Sequence, residues 1–318
     1  GIDIADLIAK EDVIISMTHQ GYIIRMSLSE YKAQNRGGVG ITAHKTKEED
    51  YIENMFTSST HDDLLFFSNF GRVYCIKAYE VPEAQRTAKG RSIINLLMLS
   101  EGEKITTIIP RTEGATGNLI MATKHGLIKK TRLEEFASIR KMGKIAISLL
   151  ENDELIGVEV SSGNDDILLA THEGKCIRFN ESCVRAMGRN SQGVKSMKLS
   201  EMDYIVDMTI VKPGSQIITI SEHGYGKRSD VDDYRLTGRG GKGIKAGTFN
   251  EKTGKLVALK QSIEDDDIML IADNGMIIRT PVSQISSHSR GSQGVKIMKL
   301  KDENKIVSVA LVKKEDEQ

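Results

Sequence analysis

Two short stretches concentrate residue types that could hold a polyanion. Gln34-Asn35-Arg36-Gly37-Gly38-Val39-Gly40 sets three glycines within four residues beside one guanidinium. A backbone without Cβ atoms reaches φ > 0 and lets a rod-like partner come close to its amides. Arg36 adds a planar fork of donors suited to phosphate, and Gln34 adds a neutral donor and acceptor. Arg239-Gly240-Gly241-Lys242-Gly243 repeats the pattern about two hundred residues later. One Gly-rich turn with one Arg reads as readily as a plain surface turn; a second copy favours the phosphate cradle.

These loops need a scaffold, and the scaffold is an internal repeat. Short apolar runs at Asp12–Met17, Asp63–Phe67, Asn118–Ala122, Asp166–Ala170, Gln216–Ile220 and Asp267–Ala272 each lead to a turn glycine. Those glycines are Gly21, Gly71, Gly126, Gly174, Gly224 and Gly275, spaced by 50, 55, 48, 50 and 51 residues. Runs of about five residues rich in Ile, Val and Leu, bounded by Gly turns, read as β-hairpins rather than helices. A second glycine recurs at Gly40, Gly90, Gly143, Gly193, Gly243 and Gly294. Two further apolar segments follow it, such as Val194–Leu199 and Ile205–Val211. The expectation is an all-β, six-bladed radial architecture with about 50 residues and four strands per blade. One repeat cannot bury both faces of its sheet, so neighbours must stack. Ile2–Ile8 reads as an extra copy of the fourth strand. Residues 1–312 are expected to form a single domain and 313–318 a short charged tail.

Basic residues keep register with the repeat. Four residues before the second glycine stand Arg36, Arg86, Arg189, Arg239 and Arg290, with Arg140 one place later in the shorter third repeat. Lys89 and Lys141 lie in the same loops. Four residues after each turn glycine come Arg25, Cys75, Lys130, Arg178, Arg228 and Arg279, a secondary basic stripe broken once. The bland reading is that these charges protect strand edges. Charge segregation argues against it for the first set. The windows 25–47, 72–91, 124–144, 175–198, 227–245 and 279–301 each carry a net charge of +3 to +5 and together +25, while the whole chain is neutral. A basic belt on an otherwise acidic body is what binding a polyanion along its phosphates requires.

Other chemistry finds little support. His19, His125, His172 and His223 fall in separate turns, and none has a His or Cys partner at metal-ligand spacing. Glu264–Asp267 lacks the alternating ligands of a calcium loop. There is no Gly-x-Ser-x-Gly elbow, Walker loop or HExxH. Cys75, Cys176 and Cys183 form no CxxC pair, and their odd number fits a reducing cytoplasm better than a disulfide framework. No apolar run approaches a membrane span, and no signal-peptide pattern opens the chain. It begins at Gly1 rather than Met, which fits a piece of a longer polypeptide.

The two glycine-arginine stretches resemble the box of the DNA gyrase A-subunit family, Gln-basic-Arg-Gly-Gly-basic-Gly. The first copy matches at Gln34, Arg36, Gly37, Gly38 and Gly40 and departs at Asn35 and Val39. The second keeps Arg239, Gly240, Gly241, Lys242 and Gly243 but has Thr237 and Gly238 at its first two places. The resemblance covers essentially the whole chain, as the C-terminal domain of that family. It implies a β-pinwheel, a propeller-like fold whose blades exchange strands, with double-stranded DNA wrapped on its rim. It also implies a parent enzyme that introduces negative supercoils by ATP-dependent strand passage. The partners implied are the N-terminal part of the same polypeptide, which carries the cleavage tyrosine, and the gyrase B subunit. This piece would have no catalysis and no cofactor of its own, with ATP and Mg needed only in the complete enzyme. Its place would be the cytoplasm, with the nucleoid. Two alternatives stay open: the corresponding C-terminal domain of topoisomerase IV, and a protein-interaction propeller of the WD or kelch kind. The latter are built around Trp, and this chain has none.

Overall fold

The computed structural model describes residues 3–35, 50–85, 88–262, 265–301 and 303–312, with side chains of residues 32–35 outside the description. The six hairpins stand where the repeat places them. The hairpin-opening strand of each middle repeat is buried along almost its whole length, as in Asp63–Ser68, Asn118–Thr123, Asp166–Thr171 and Gln216–Ser221. It is the inner strand of its sheet and is covered on both faces, so it reads as an unbroken apolar run rather than an alternation.

The hairpin turn has its own lock. In five repeats a Ser or Thr ends the first strand three residues before the turn glycine. Its hydroxyl accepts the N–H four residues on: Thr18 from Tyr22 at 3.1 Å, Ser68 from Arg72 at 3.4 Å, Thr123 from Leu127 at 3.0 Å, Thr171 from Lys175 at 3.1 Å and Ser221 from Tyr225 at 3.3 Å. The sixth repeat has Ala272 there, and Asn274 instead accepts from Met276 N–H at 3.1 Å.

Each of the first five blades is completed by the repeat that follows it. The second blade runs Lys144–Ile145, Arg72–Lys77, Asp63–Ser68, Ile105–Arg111, and its first-named strand comes from the third repeat. Blades 1, 3 and 5 take Arg91–Ser92, Val194–Lys195 and Val295–Lys296 in the same way. Blade 4 takes both Leu236–Thr237, parallel, and Ile244–Lys245, antiparallel. Blade 6 has three strands among the described residues. The exchanged strand is two residues long, so the apolar segments expected at Val194–Leu199 and Val295–Leu300 are strand only at their first two residues.

Blades 1 and 2 form one compact unit and blades 3 to 6 another. Within each unit the apolar cores lie between neighbouring sheets. Ile15, Phe66, Tyr74, Ile93 and Ile108 share one cluster in the first unit, and Ile120, Leu169, Phe179 and Met208 share one in the second. Two elements depart from expectation. Ile4–Leu7 is a turn of 3-10 helix rather than a strand, because the Asp3 carboxylate accepts from Ala5 N–H at 3.2 Å and caps it. Leu28–Asn35 is an α-helix where other repeats have a single 3-10 turn, and Gln34 lies in its last turn.

Candidate nucleic-acid interface

The two basic stripes part company in the structure. The stripe after the hairpin turn is turned inward. Arg178 donates from Nη1 to the Val231 and Tyr234 carbonyl oxygens, both at 3.1 Å, and its Nη2 lies 2.9 Å from Asp166 Oδ2. Arg228 donates from Nε to Ile285 O at 2.6 Å and from Nη1 to Gln216 Oε1 at 2.8 Å. Arg25 reaches Val81 O at 3.0 Å. Lys130 is 8% exposed and holds Glu181 O at 3.0 Å. Arg279 pairs with Asp267 at 2.8 Å in the last blade. Four of these five tie one blade to the 3-10 turn of the next repeat. Four of the five residues of the secondary basic stripe thus act as staples between blades, Lys130 buried and Arg25, Arg178 and Arg228 half-buried. Cys75, the exception in sequence, fits as well: it is 8% exposed in the equivalent strand.

Of the described members of the stripe before the second glycine, Arg140 and Arg239 are exposed and Arg189 and Arg290 half-buried. Arg239 is exposed, and its Nε and Nη1 donate to Cys183 O at 3.1 Å and Lys195 O at 2.7 Å. Arg290 copies this one repeat later, with Lys245 O at 2.8 Å and Asp233 O at 2.6 Å. In both cases the guanidinium is fixed by the preceding repeat's 3-10 turn and exchanged strand. A fork held in place loses less freedom when it meets a phosphate. Arg140, Lys141 and Lys242 are exposed, and Arg189 is half-buried. Lys89 lies with its ammonium 4.2 Å from the Tyr22 ring centroid. Lys242 joins Lys175, Lys198 and Asp203 around a pocket of about 390 Å³. Arg36, Gly37, Gly38, Gly40 and Arg86, with the Gln34 side chain, lie outside the described residues.

The glycines of the second box have two different jobs. Gly243 sits at φ +77°, and a Cβ there would overlap the Cys176 carbonyl oxygen of the preceding blade. Gly193 and Gly294 meet the carbonyls of Ile128 and Gly226 in the same way, and at Gly143 the Tyr74 ring fills that space. At these four repeats the second glycine is thus needed for the close approach of the exchanged strand. Gly238, Gly240 and Gly241 face open space, with nothing within 4 Å of an added Cβ. Within this box these leave bare backbone for a partner, and Gly188 and Gly291, beside Arg189 and Arg290, are open in the same way.

Two site residues escaped the sequence reading. Lys129 is 0% exposed, and its Nζ donates to Arg189 O at 2.7 Å and Ser191 O at 3.0 Å. Lys227 is 1% exposed and donates to Ala246 O, Arg290 O and Ser292 O at 2.8, 2.6 and 2.7 Å. Both lie beneath basic-box loops of the next repeat. Burial pulls each ammonium down to about 8, with Arg189 or Arg290 acting in the same direction. The available signal was a Lys three residues after the turn glycine, a strand position held by Ile24, Ile177 and Ile278 in other repeats. Metal chemistry finds no site: among the described residues no group of His, Cys, Asp or Glu could hold an ion. His19 and His172 are instead stacked on Tyr51 and Tyr204. The three cysteines are free thiols. No helix among the described residues is long and apolar enough to cross a membrane.

Comparison with known proteins agrees with the repeat. The family described as DNA gyrase C-terminal domain, beta-propeller, matches six times, at residues 12–59, 62–110, 117–162, 165–212, 215–262 and 266–313. The DNA gyrase A protein of Escherichia coli K12 is 44% identical over 312 residues, covering 98% of this chain and 36% of that protein. Its Staphylococcus aureus NCTC 8325 counterpart is 43% identical over 316 residues, with 98% and 36% covered. This chain thus spans about a third of the length of these relatives. Among solved structures, the C-terminal domain of DNA topoisomerase IV superposes with a TM-score of 0.86 at 27% identity, covering 98% of this chain and 96% of that one. The DNA gyrase A C-terminal domain superposes with a TM-score of 0.74 at 29% identity, covering 95% and 100%.

Proposed function

The chain belongs to the DNA gyrase C-terminal β-propeller family, and from that premise we propose that it binds double-stranded DNA along its phosphates and wraps it. The parent gyrase would use the wrapped segment to introduce negative supercoils by ATP-dependent strand passage. One observation carries the DNA-binding part: Arg239 and Arg290 repeat the same anchored geometry on successive repeats, beside loops whose other basic residues are exposed. Repeated, pre-positioned cations without a base-reading element suit sequence-independent phosphate contact. The proposed contacts are Arg36, Arg86, Lys89, Arg140, Lys141, Arg189, Arg239, Lys242 and Arg290, with Gln34 and the box glycines Gly37, Gly38, Gly40, Gly240 and Gly241 admitting the backbone. The chain itself would carry no catalysis and no cofactor. Its partners would be the N-terminal part of the same polypeptide and the gyrase B subunit, in the cytoplasm.

Wrapping is testable because DNA is stiff. Bending about 40 bp through half a circle costs on the order of 10 kcal/mol, so the contacts of one loop cannot offset it. Affinity should climb with duplex length until all contacting repeats are engaged, and labelled duplex ends should approach each other in energy transfer. Equal binding of short and long duplexes, with ends apart, would leave a sticky basic surface and no wrapper.

The superposition on the topoisomerase IV domain supports a second reading, in which the same surface belongs to a topoisomerase IV rather than to a supercoiling gyrase. Reconstituting the full enzyme with and without this chain separates them. Gyrase predicts loss of negative supercoiling with relaxation retained. The topoisomerase IV reading predicts no supercoiling in either case.

A further inference from the structure

Lys227 is an expensive way to hold a loop. Its ammonium is sealed from water and meets three main-chain oxygens, two of them in the Arg290–Gly294 segment. A buried ammonium loses its hydration, and that cost is offset best by an opposite charge. The ionisable groups acting on it are the Cys176 thiol and the Arg290 guanidinium. Burial pushes the thiol up to about 12, so it brings no negative charge at neutral pH. The loop therefore stacks two positive charges, one buried and one half-buried. Lys129 and Arg189 repeat the arrangement two blades earlier. A neutral donor could satisfy the same carbonyls; a charge there gains its purpose when a polyanion lies on the loop.

We propose that Lys227 is a positioning residue for DNA, fixing the Arg290 loop from below and taking a phosphate of the bound duplex as its counter-charge, with Lys129 serving the Arg189 loop in the same way. The proposal rests on the DNA-binding reading above. Its consequence is proton uptake on binding. A phosphate over the loop favours the charged lysine and raises a value that burial holds at about 8 in the free chain. Affinity is then greatest below that value. It falls as pH rises from the free value towards the bound one, and protons are taken up across the same window.

The test titrates a random-sequence linear duplex into the 318-residue chain at fixed salt, from roughly pH 7 to pH 9.5, by calorimetry in buffers of different ionisation enthalpy. The expected result is proton uptake and about a ten-fold loss of affinity for each unit by which binding raises a lysine. Lys227→Gln keeps N–H donors without the charge, and Lys129→Gln does the same at the second site; the double variant should lose most of the uptake and show a flatter pH profile. Salt-dependent binding with no proton uptake anywhere from roughly pH 8 to pH 9.5 overturns the proposal and leaves DNA binding standing. Uptake that survives unchanged in the double variant also overturns it. A wild-type chain that binds no duplex at pH 7 overturns both readings. The wild-type profile needs no substitution, so it decides the matter even if a variant fails to fold.

Discussion

Arg239 donates from Nη1 to the Lys195 carbonyl oxygen at 2.7 Å, tying the glycine-rich loop of one repeat to the exchanged strand of the repeat before. With Nε on Cys183 O at 3.1 Å, two sides of the guanidinium are fixed. The loop's exposed arginine is thereby also part of the blade seam, and this shapes what its substitution should do.

Arg239→Ala should lower the slope of log affinity against log salt by about 0.9, the share of one phosphate contact, with a modest loss of stability. Arg239→Lys should not restore it. A lysine ammonium lacks the planar fork whose two nitrogens reach Cys183 O and Lys195 O from different sides, so its charge is not pre-positioned for a phosphate. A salt series on duplex binding gives both results, and an unchanged slope in the Ala variant would remove Arg239 from the interface.

Arg228→Ala should behave oppositely. Its side chain holds Ile285 O and Gln216 Oε1 inside the fold. Removing it leaves those acceptors unsatisfied, at a cost of about 2–4 kcal/mol. Urea unfolding should report that loss, while the salt slope of DNA binding for the folded variant stays that of the parent.

The box glycines separate by the same logic. Gly243→Ala should destabilise the chain by about 2 kcal/mol or more, because φ is +77° and the Cys176 carbonyl occupies the Cβ position. Gly241→Ala meets nothing within 4 Å and should leave the unfolding midpoint in place. If bare backbone admits the duplex, Gly241→Ala should still weaken DNA binding several-fold. Unchanged binding would make that glycine a plain turn residue.

Buried lysines also set a pH dependence of stability. Their folded values, about 8, lie below the unfolded 10.5, so the unfolded chain binds more protons between these limits and stability rises with pH there. Cys75 and Cys176 oppose this, since burial raises each thiol from 9.0 to about 12. From pH 8 to pH 9 the lysines dominate, with a net gain of about 1 kcal/mol. Unfolding curves at the two pH values check it. The sign is opposite to that expected for DNA affinity over the same range, so a general alkaline weakening of the fold cannot imitate the binding effect.

Much of the architecture was legible in the chain itself. The Ser/Thr-x-x-Gly turn and the apolar run before it are local chemistry, set by a hydroxyl that reaches an N–H four residues on and by a glycine that accepts positive φ. Their recurrence at intervals near 50 residues fixed the number of blades and the register of the basic residues. The tertiary structure decided what each register position does. Arg228 and Arg239 are both arginines at repeat-locked positions, and no sequence period separates them. One becomes a staple because the next repeat's 3-10 turn closes over it; the other stays exposed, held at its edge by the Cys183 and Lys195 carbonyls of the repeat before. Gly243 and Gly241 differ for the same reason, as does Lys227 from its neighbour Arg228. Periodicity assigns a side chain to a face of its sheet. Whether that face meets water, another blade or an exchanged strand depends on contacts between residues some fifty positions apart, and those exist only once the blades have stacked.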